Sequence, residues 1–306
     1  MVASTFDLGE GIILIDSGAL GVKHYCSSYV ISSDDEHILI ETGPGTSVHT
    51  LLDGIKELKL SLNSFTNIIV THVHLDHAGG VGDIANKMTN AKVVVHETGA
   101  KHLVDPSRLV ESARRVFGES FYLYGDLKPV DEKRIQPVKD EDEVRFRSGK
   151  KLRIIYAPGH ASHEICILDE QTKALFTGDA AGLYFDDTDE VVPTTPPPDF
   201  DLDLSLQTID RLLKLAPSRL FFSHFGVVNQ SKKILAEAKE QLIVWGERII
   251  TAYTKDSSDP KIKLEKLSAQ LEIKTKTLPI EVKQRHLNMC VDGYLRFYRK
   301  KKNLQV

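Results

Sequence analysis

Apolar residues recur along this chain in two rhythms, short β-branched runs that suit strands and longer three-to-four-residue spacings that suit helices. GIILID (11–16), SSYVIS (27–32) and HILIETG (37–43) predict three successive strands, with the turn residues SSDDE between the last two. After the turn GPG, TSVHTLLDGIKEL predicts a helix. NIIVTH (67–72) predicts a buried strand, GGVGDIANKM a helix and AKVVVH another strand. Residues 99–135 break the rhythm with a helical piece and the aromatic run Phe117, Phe121, Tyr122 and Tyr124, which suits either a cap over a site or a satellite hydrophobic cluster. The pattern restarts with EVRFRS, LRIIYAPGH, EICILDE and ALFTGDA as strands on short turns. The amphipathic helix SLQTIDRLLKL, with Leu206, Ile209, Leu212 and Leu213 on one face, and a last strand, RLFFSHFG, follow. Two runs of similar make-up predict two sheets packed face to face with helices outside, a four-layer α/β fold. The proline run PTTPPPDF reads as a stiff connector within it.

After Asn229 the pattern is helical. Leu235, Ala238, Leu242, Trp245 and Ile249 share one face, and Leu287, Val291, Tyr294 and Tyr298 another. The expected organisation is a main domain over 1–230, with 99–135 as its cap segment, and a helical extension over 231–306. Charge sharpens that division. From Ser231 onward the chain holds 17 Lys/Arg and 9 Asp/Glu, whereas the 230 residues before it hold 22 and 34. A basic appended element can mark a partner of its own or simply a solvated helical face, and the second is expected here. The 306 residues, 41% of them apolar, suffice for a real core, and no apolar run approaches a membrane span. The first residues carry acids and no basic stretch, so a cytoplasmic location is expected. Cys26, Cys166 and Cys290 are far apart and odd in number, which suits buried reduced thiols and excludes a disulfide framework.

The chemistry concentrates in THVHLDHAGG (71–80), with three histidines and an aspartate within six positions. With NIIVTH ending near His72, His72 and His74 would sit two apart at a strand end and point the same way, while Asp76 and His77 would lie where a helix begins. Such a turn can offer two imidazoles to one metal ion and an imidazole with a carboxylate to a second. His160 in APGHASH, Asp179 in FTGDAAG and His224 in FFSHFG repeat one grammar: apolar strand, tight turn, one ligand-type side chain. Strand ends along one edge of a sheet sandwich converge, so these seven groups are expected to meet.

HxHxDH followed by a later His, an Asp and a final His resembles the signature of the metallo-β-lactamase superfamily, over roughly residues 10–230. The resemblance implies an αββα sandwich with the site at one edge and two divalent ions, zinc by default, with iron or manganese open. Carried over by position, His72, His74 and His160 would bind the first ion, Asp76, His77 and His224 the second, and Asp179 would bridge them. His74 stands where the di-iron oxygen reductases of the superfamily usually have Glu, which disfavours electron transfer. The full ligand set also argues against the mononuclear iron persulfide dioxygenases. Many members have Asp in the turn where this chain has Glu41, in IETGPG; that residue normally hydrogen-bonds a metal-binding histidine, and Asp16 is a weaker competitor for the role.

Two ions about 3.5–4 Å apart can share a bridging water, lower its pKa and turn it on a carbonyl or phosphoryl centre. Asp76 is the expected catalytic side chain, orienting that hydroxide or shuttling a proton; His163 is expected at the surface. The chain is similar to the glyoxalase II and lactonase-like branch, so a small-molecule ester, thioester or lactone is the expected substrate. Tyr184 and Tyr122 are the candidate substrate contacts. Single-stranded RNA cleavage, with the basic extension on phosphates, is the alternative. A third reading makes the metal site vestigial and the basic helices a protein or homodimer interface.

Overall fold

The computed structural model describes residues 3–255 and 266–302. Seven strands in the order β1-β2-β3-β4-β5-β6-β7 form the first sheet: Ser4–Asp7, Ile12–Asp16, Ser27–Ser33, Glu36–Ile40, Phe65–Ile69, Lys92–His96 and Ile135–Val138. β1 to β4 run antiparallel, and β4 to β7 run parallel. The second sheet has the order β15-β14-β11-β10-β9-β8, from Glu143–Arg145 (β8), Lys151–Tyr156 (β9), Ile165–Asp169 (β10), Ala174–Phe176 (β11), Arg219–Phe221 (β14) and Val227–Val228 (β15). Between β11 and β14 a small hairpin, Leu183–Phe185 (β12) with Glu190–Val192 (β13), stands apart from both sheets.

Strand alternation divides the apolar end of β4 between two layers. Ile38 and Ile40 point into the layer between the sheets, where they meet Ile154, Ile167 and Phe221 of the second sheet. Leu39 points the other way, into a cluster with Leu51 and Ile55 of helix α1 (Val48–Glu57). A sheet covered on both faces needs apolar residues at successive positions. Helix α6 (Leu202–Leu215) and helix α7 (Ser231–Lys255) cover the second sheet. The predicted αββα layering is therefore present.

The helices after Asn229 join the same apolar cluster as α6. Leu235, Leu242, Trp245 and Ile249 of α7 and Cys290, Val291 and Tyr294 of the C-terminal helix (Ile280–Lys302) are buried with Ile209 and Leu212. Three of the basic side chains there pair with acids of the preceding segments: Lys239 with Asp210 at 2.6 Å, Lys233 with Asp189 at 3.3 Å, and Lys301 with Asp203. Among the described residues no helix is long and apolar enough to cross a membrane, and all three cysteines are free and buried.

Local differences from the sequence reading have physical causes. NIIVTH does not stay a strand to His72: β5 ends at Ile69, and Thr71 turns its carbonyl to the N–H of Ile165 in the other sheet (2.9 Å). β7 escaped because Pro137 breaks the donor pattern of an edge strand. In 99–135, helix α5 (Ser107–Phe117) buries no residue fully, while Phe121 and Tyr124 join the α1 cluster and Phe117 stacks on Tyr124 at 4.2 Å.

Candidate metal centre

All seven predicted side chains meet at the edge where the chain passes between the sheets. Three overlapping sets bring their ligand atoms within 4.8 Å of one another: His72, His74 and His160; His72, His77 and Asp179; and Asp76, His77 and His224. His74 is the N-cap of the short helix α2 (Leu75–Ala78), which turns Asp76 and His77 toward the cluster. That turn depends on close approach. A Cβ on Gly79 would lie 2.2 Å from the Leu75 carbonyl oxygen and 2.8 Å from the Gly45 nitrogen. With glycine there, Thr42 donates N–H and Oγ1–H to the His77 carbonyl, each at 2.9 Å.

His72 and His74 are not the parallel pair of a strand end. The turn after Ile69 presents His72 through Nε2 but His74 through Nδ1, which lies 3.0 Å from His160 Nε2. Each of the other imidazoles is held by its far nitrogen. His160 Nδ1–H donates to the Thr194 carbonyl (3.0 Å) and His224 Nδ1–H to the Tyr25 carbonyl (3.2 Å). Glu41 Oε1 lies 3.3 Å from His77 Nδ1 and accepts from Ser223 Oγ (3.0 Å) and Thr71 Oγ1. Thr71 Oγ1, its proton given to Glu41, accepts in turn from His72 Nδ1–H at 3.0 Å. One carboxylate thus orients two imidazoles, and Glu41 reaches them from a left-handed backbone (φ 64°) that few non-glycine residues adopt. Asp16 is occupied elsewhere, accepting from the N–H groups of Gly18 and His24 at 3.0 Å each.

The inner atoms are left without partners. His72 Nε2, His77 Nε2 and Asp179 Oδ1 are buried and accept or donate no hydrogen bond among the described residues. Buried polar atoms are almost always paired, so three convergent exceptions call for a ligand of their own. Asp179 divides its oxygens: Oδ2 lies 3.5 Å from His160 Nε2, whereas Oδ1 lies 3.4 Å from His77 Nε2 and 3.6 Å from His224 Nε2. Asp76 Oδ2 lies 3.6 Å from His224 Nε2 and, at 20% exposure, opens the site toward solvent.

Electrostatics agree with a cation-binding set. Burial, then the neighbouring His160, pulls His74 down to about 3, and burial also lowers His72 and His160. Neutral imidazole is the ligand form. Burial opposes charge on Asp76 and Asp179, but the surrounding histidines, His77 first, outweigh it and hold both carboxyls well below the usual range. Burial likewise opposes a proton on His77, yet Asp179, Asp76 and Glu41 outweigh it and raise its pKa. Three carboxylates around one imidazole ask for positive charge at the centre of the site.

The two tyrosines predicted as substrate contacts are not among the convergent groups. Tyr184 touches the cluster only through its backbone N–H, which donates to the His224 carbonyl; its hydroxyl donates to Asp189 (3.0 Å) and its ring stacks on Phe222. Tyr122 is 73% exposed. Tyr25 and Tyr124 are the buried tyrosines within electrostatic reach of Asp76, and the Tyr25 ring packs on His224 at 4.9 Å. His163 is buried rather than superficial, its Nδ1 accepting the Val73 N–H at 3.4 Å between two of the ligands. Glu164 escaped the sequence reading altogether. It is wholly buried, and its Oε1 accepts the Asp179 N–H at 2.6 Å. Its only signal was an acid opening the apolar run EICIL.

Known proteins resemble this chain in sequence and fold. Residues 21–224 match the family model described as the metallo-beta-lactamase superfamily. The metallo-beta-lactamase fold-containing protein ST1585 of Sulfurisphaera tokodaii is 31% identical over 238 residues, 76% of this chain and 85% of that protein. The crystal structure of ST1585 from Sulfolobus tokodaii superposes with a TM-score of 0.71 at 26% identity, covering 94% of this chain and 99% of that one. A structure of the metallo-beta-lactamase family protein TTHA1429 from Thermus thermophilus gives the same TM-score at 21% identity, over 97% and 95% of the two chains, and so speaks to fold alone. The atrochrysone carboxyl ACP thioesterase dmxR1 of a Cryptosporiopsis species is 27% identical over 154 residues, half of this chain but only 37% of that protein.

Proposed function

Because the chain belongs to the metallo-β-lactamase superfamily, we propose that it is a hydrolase that uses two divalent cations on an ester, thioester or lactone of a small molecule. The observation that carries this reading is the set of unpartnered, buried, inward-facing atoms on His72, His77 and Asp179. Two cations fit the donors. His72 Nε2, His74 Nδ1 and His160 Nε2 would hold one; Asp76, His77 Nε2 and His224 Nε2 would hold the other; Asp179 would serve both, one oxygen to each set. An all-imidazole and carboxylate set suits zinc first, with iron and manganese also compatible.

When bound, such a cation pair supplies Lewis acidity that polarises a carbonyl and makes water a nucleophile near neutral pH. The chain's own residues do the rest. Asp76, ionised and part-exposed at the mouth, accepts a hydrogen bond from the attacking water and orients it toward the carbonyl carbon. Glu41, Thr194 and the Tyr25 carbonyl keep the imidazoles in one tautomer, so no side chain has to reorganise during turnover. The Tyr25 ring packs on His224, and both Tyr25 and Tyr124 lie buried within electrostatic reach of Asp76. No serine or cysteine nucleophile is required, and Cys26, buried with its thiol pKa raised by burial and then by Asp76, is unsuited to be one.

Two features favour a small carbonyl substrate over single-stranded RNA. Lys233, Lys239 and Lys301 of the C-terminal helices are engaged with acids of the body, and the relative dmxR1 is named a thioesterase. The test is a panel of lactones, thioesters, aryl esters, phosphodiesters and single-stranded RNA, offered to zinc- and manganese-loaded protein with His74→Ala as control. Turnover of a carbonyl ester that vanishes in the control is expected. Cleavage of RNA alone would overturn the proposal.

A further inference from the structure

The loop that holds His160 is itself held by the C-terminal helix. His160 depends on Thr194, whose carbonyl takes its Nδ1–H at 3.0 Å and so leaves Nε2 free to bind. Both neighbours of Thr194 are pinned to one face of the helix Ile280–Lys302. The Pro193 carbonyl accepts from His286 Nε2–H at 2.8 Å and from the Cys290 thiol at 3.4 Å. Thr195 Oγ1–H donates to the Cys290 carbonyl at 3.1 Å. One turn further on, Gly293 lies against Thr195 so closely that a Cβ there would come 1.8 Å from the Thr195 carbonyl oxygen. Positions 286, 290 and 293 are four and three apart, a single stripe of an α-helix. Thr195 and Cys290 are fully buried, so water cannot readily stand in for the hydrogen bond between them, while His286 is partly buried at the edge of the contact.

We propose that His286 is a positioning residue for the metal centre, acting through the Pro193–Thr195 loop to aim the Thr194 carbonyl at His160, so that the C-terminal helix forms part of the site's support. This rests on the reading of His160 as a ligand. Loss of the His286 N–H frees the Pro193 carbonyl to drift and takes the adjacent Thr194 carbonyl with it. His160 then samples the tautomer and rotamers in which Nε2 no longer faces His72 and His74. Partners one step behind a ligand typically change metal affinity by about 10–100-fold when removed.

The experiment titrates zinc into metal-stripped protein against a chromophoric chelator, with elemental analysis of bound zinc and thermal melting alongside, for wild type, His286→Ala, His286→Gln, Thr195→Val and His160→Ala. His286→Ala is expected to weaken one of the two zinc ions by about tenfold or more and leave the other near its wild-type affinity. His286→Gln, whose amide N–H can reach the same carbonyl, restores most of that loss. Thr195→Val, nearly isosteric, weakens the same ion to a smaller degree and serves if His286→Ala does not fold. A purely structural role would lower the melting temperature without moving zinc affinity. Wild-type affinity for both ions in His286→Ala and Thr195→Val, with one ion lost in His160→Ala, overturns the positioning role alone. Two tight ions in His160→Ala overturn the ligand reading and the positioning role with it.

Discussion

Glu164 shows how a single side chain can support the site without facing it. Burial, then the negative charge of Asp179, pushes its carboxyl well above the usual range, while its Oε1 accepts the Asp179 N–H. Gln keeps the shape of the side chain and an oxygen that can accept the same N–H. Glu164→Gln is therefore expected to cost less than about 1 kcal/mol in urea denaturation, whereas Glu164→Ala, which strands the Asp179 N–H and opens a cavity, should cost about 2–4 kcal/mol. Equal losses for the two would show that an acceptor for the Asp179 N–H is not what Glu164 contributes. Asp179 itself divides its oxygens between two histidine sets, and Asp179→Ala should retain at most one tightly bound ion per chain by elemental analysis; two retained ions would exclude a bridging role. Far from the site, His37 packs on Phe65 and lies 2.9 Å from Ser32 Oγ, and burial lowers its pKa below 6.5 against a smaller opposite pull from Asp35. A depressed histidine contributes stability above pH 6.5 that is lost as pH falls through the folded value, because the unfolded chain binds the proton first. The drop in melting temperature between about pH 7.5 and about pH 5 should accordingly be smaller in His37→Phe than in wild type. At this scale the candidate ligands were legible in the sequence because three histidines and an aspartate in six residues have few other uses. Tyr25 and Glu164 were not, since a tyrosine or an acid becomes part of a site only through what the fold brings beside it.

At the scale of elements, the short helix α2 and its glycine decide whether the ligands converge. Gly79→Ala places a methyl group into backbone on two sides, and stability should fall by about 1–3 kcal/mol or more as the 43–45 loop is pushed away. Zinc stoichiometry should fall with it, since Thr42 would lose the His77 carbonyl; an alanine variant that melts and binds zinc like wild type would mean the turn is softer than its contacts indicate. Most strands and helices were readable from period alone, because a two-sided sheet demands apolar residues at successive positions. The failures share a cause. NIIVTH is continuous in hydrophobicity up to His72, but its hydrogen bonds change partner sheet after Val70, and no local pattern records such a switch. The β12–β13 hairpin failed for a similar reason, its three-residue strands being too short to show a period.

At the scale of the whole molecule, the helices after Asn229 pack onto the segments before them. Their apolar faces share one buried cluster with α6 and the second sheet, so the division of charge at residue 231 does not coincide with a division of the core. Trp245, the single tryptophan, sits in that cluster at 3% exposure and reports on the docking of α7. Its fluorescence and the far-UV circular dichroism should change in one coincident transition on denaturation, and Trp245→Ala should cost about 3–5 kcal/mol. Two separated transitions would mark the helices as an independent unit. By itself the sequence determined the layering, the seven ligand candidates and the family they signal, because hydrophobic period and ligand spacing are local properties written in consecutive residues. Only the tertiary structure decided which nitrogen each imidazole presents, that Glu41 rather than Asp16 orients two of them, and that the loop behind His160 leans on a helix nearly a hundred residues later. Those outcomes depend on contacts between segments far apart in the chain, where geometry, and not composition, selects the partner.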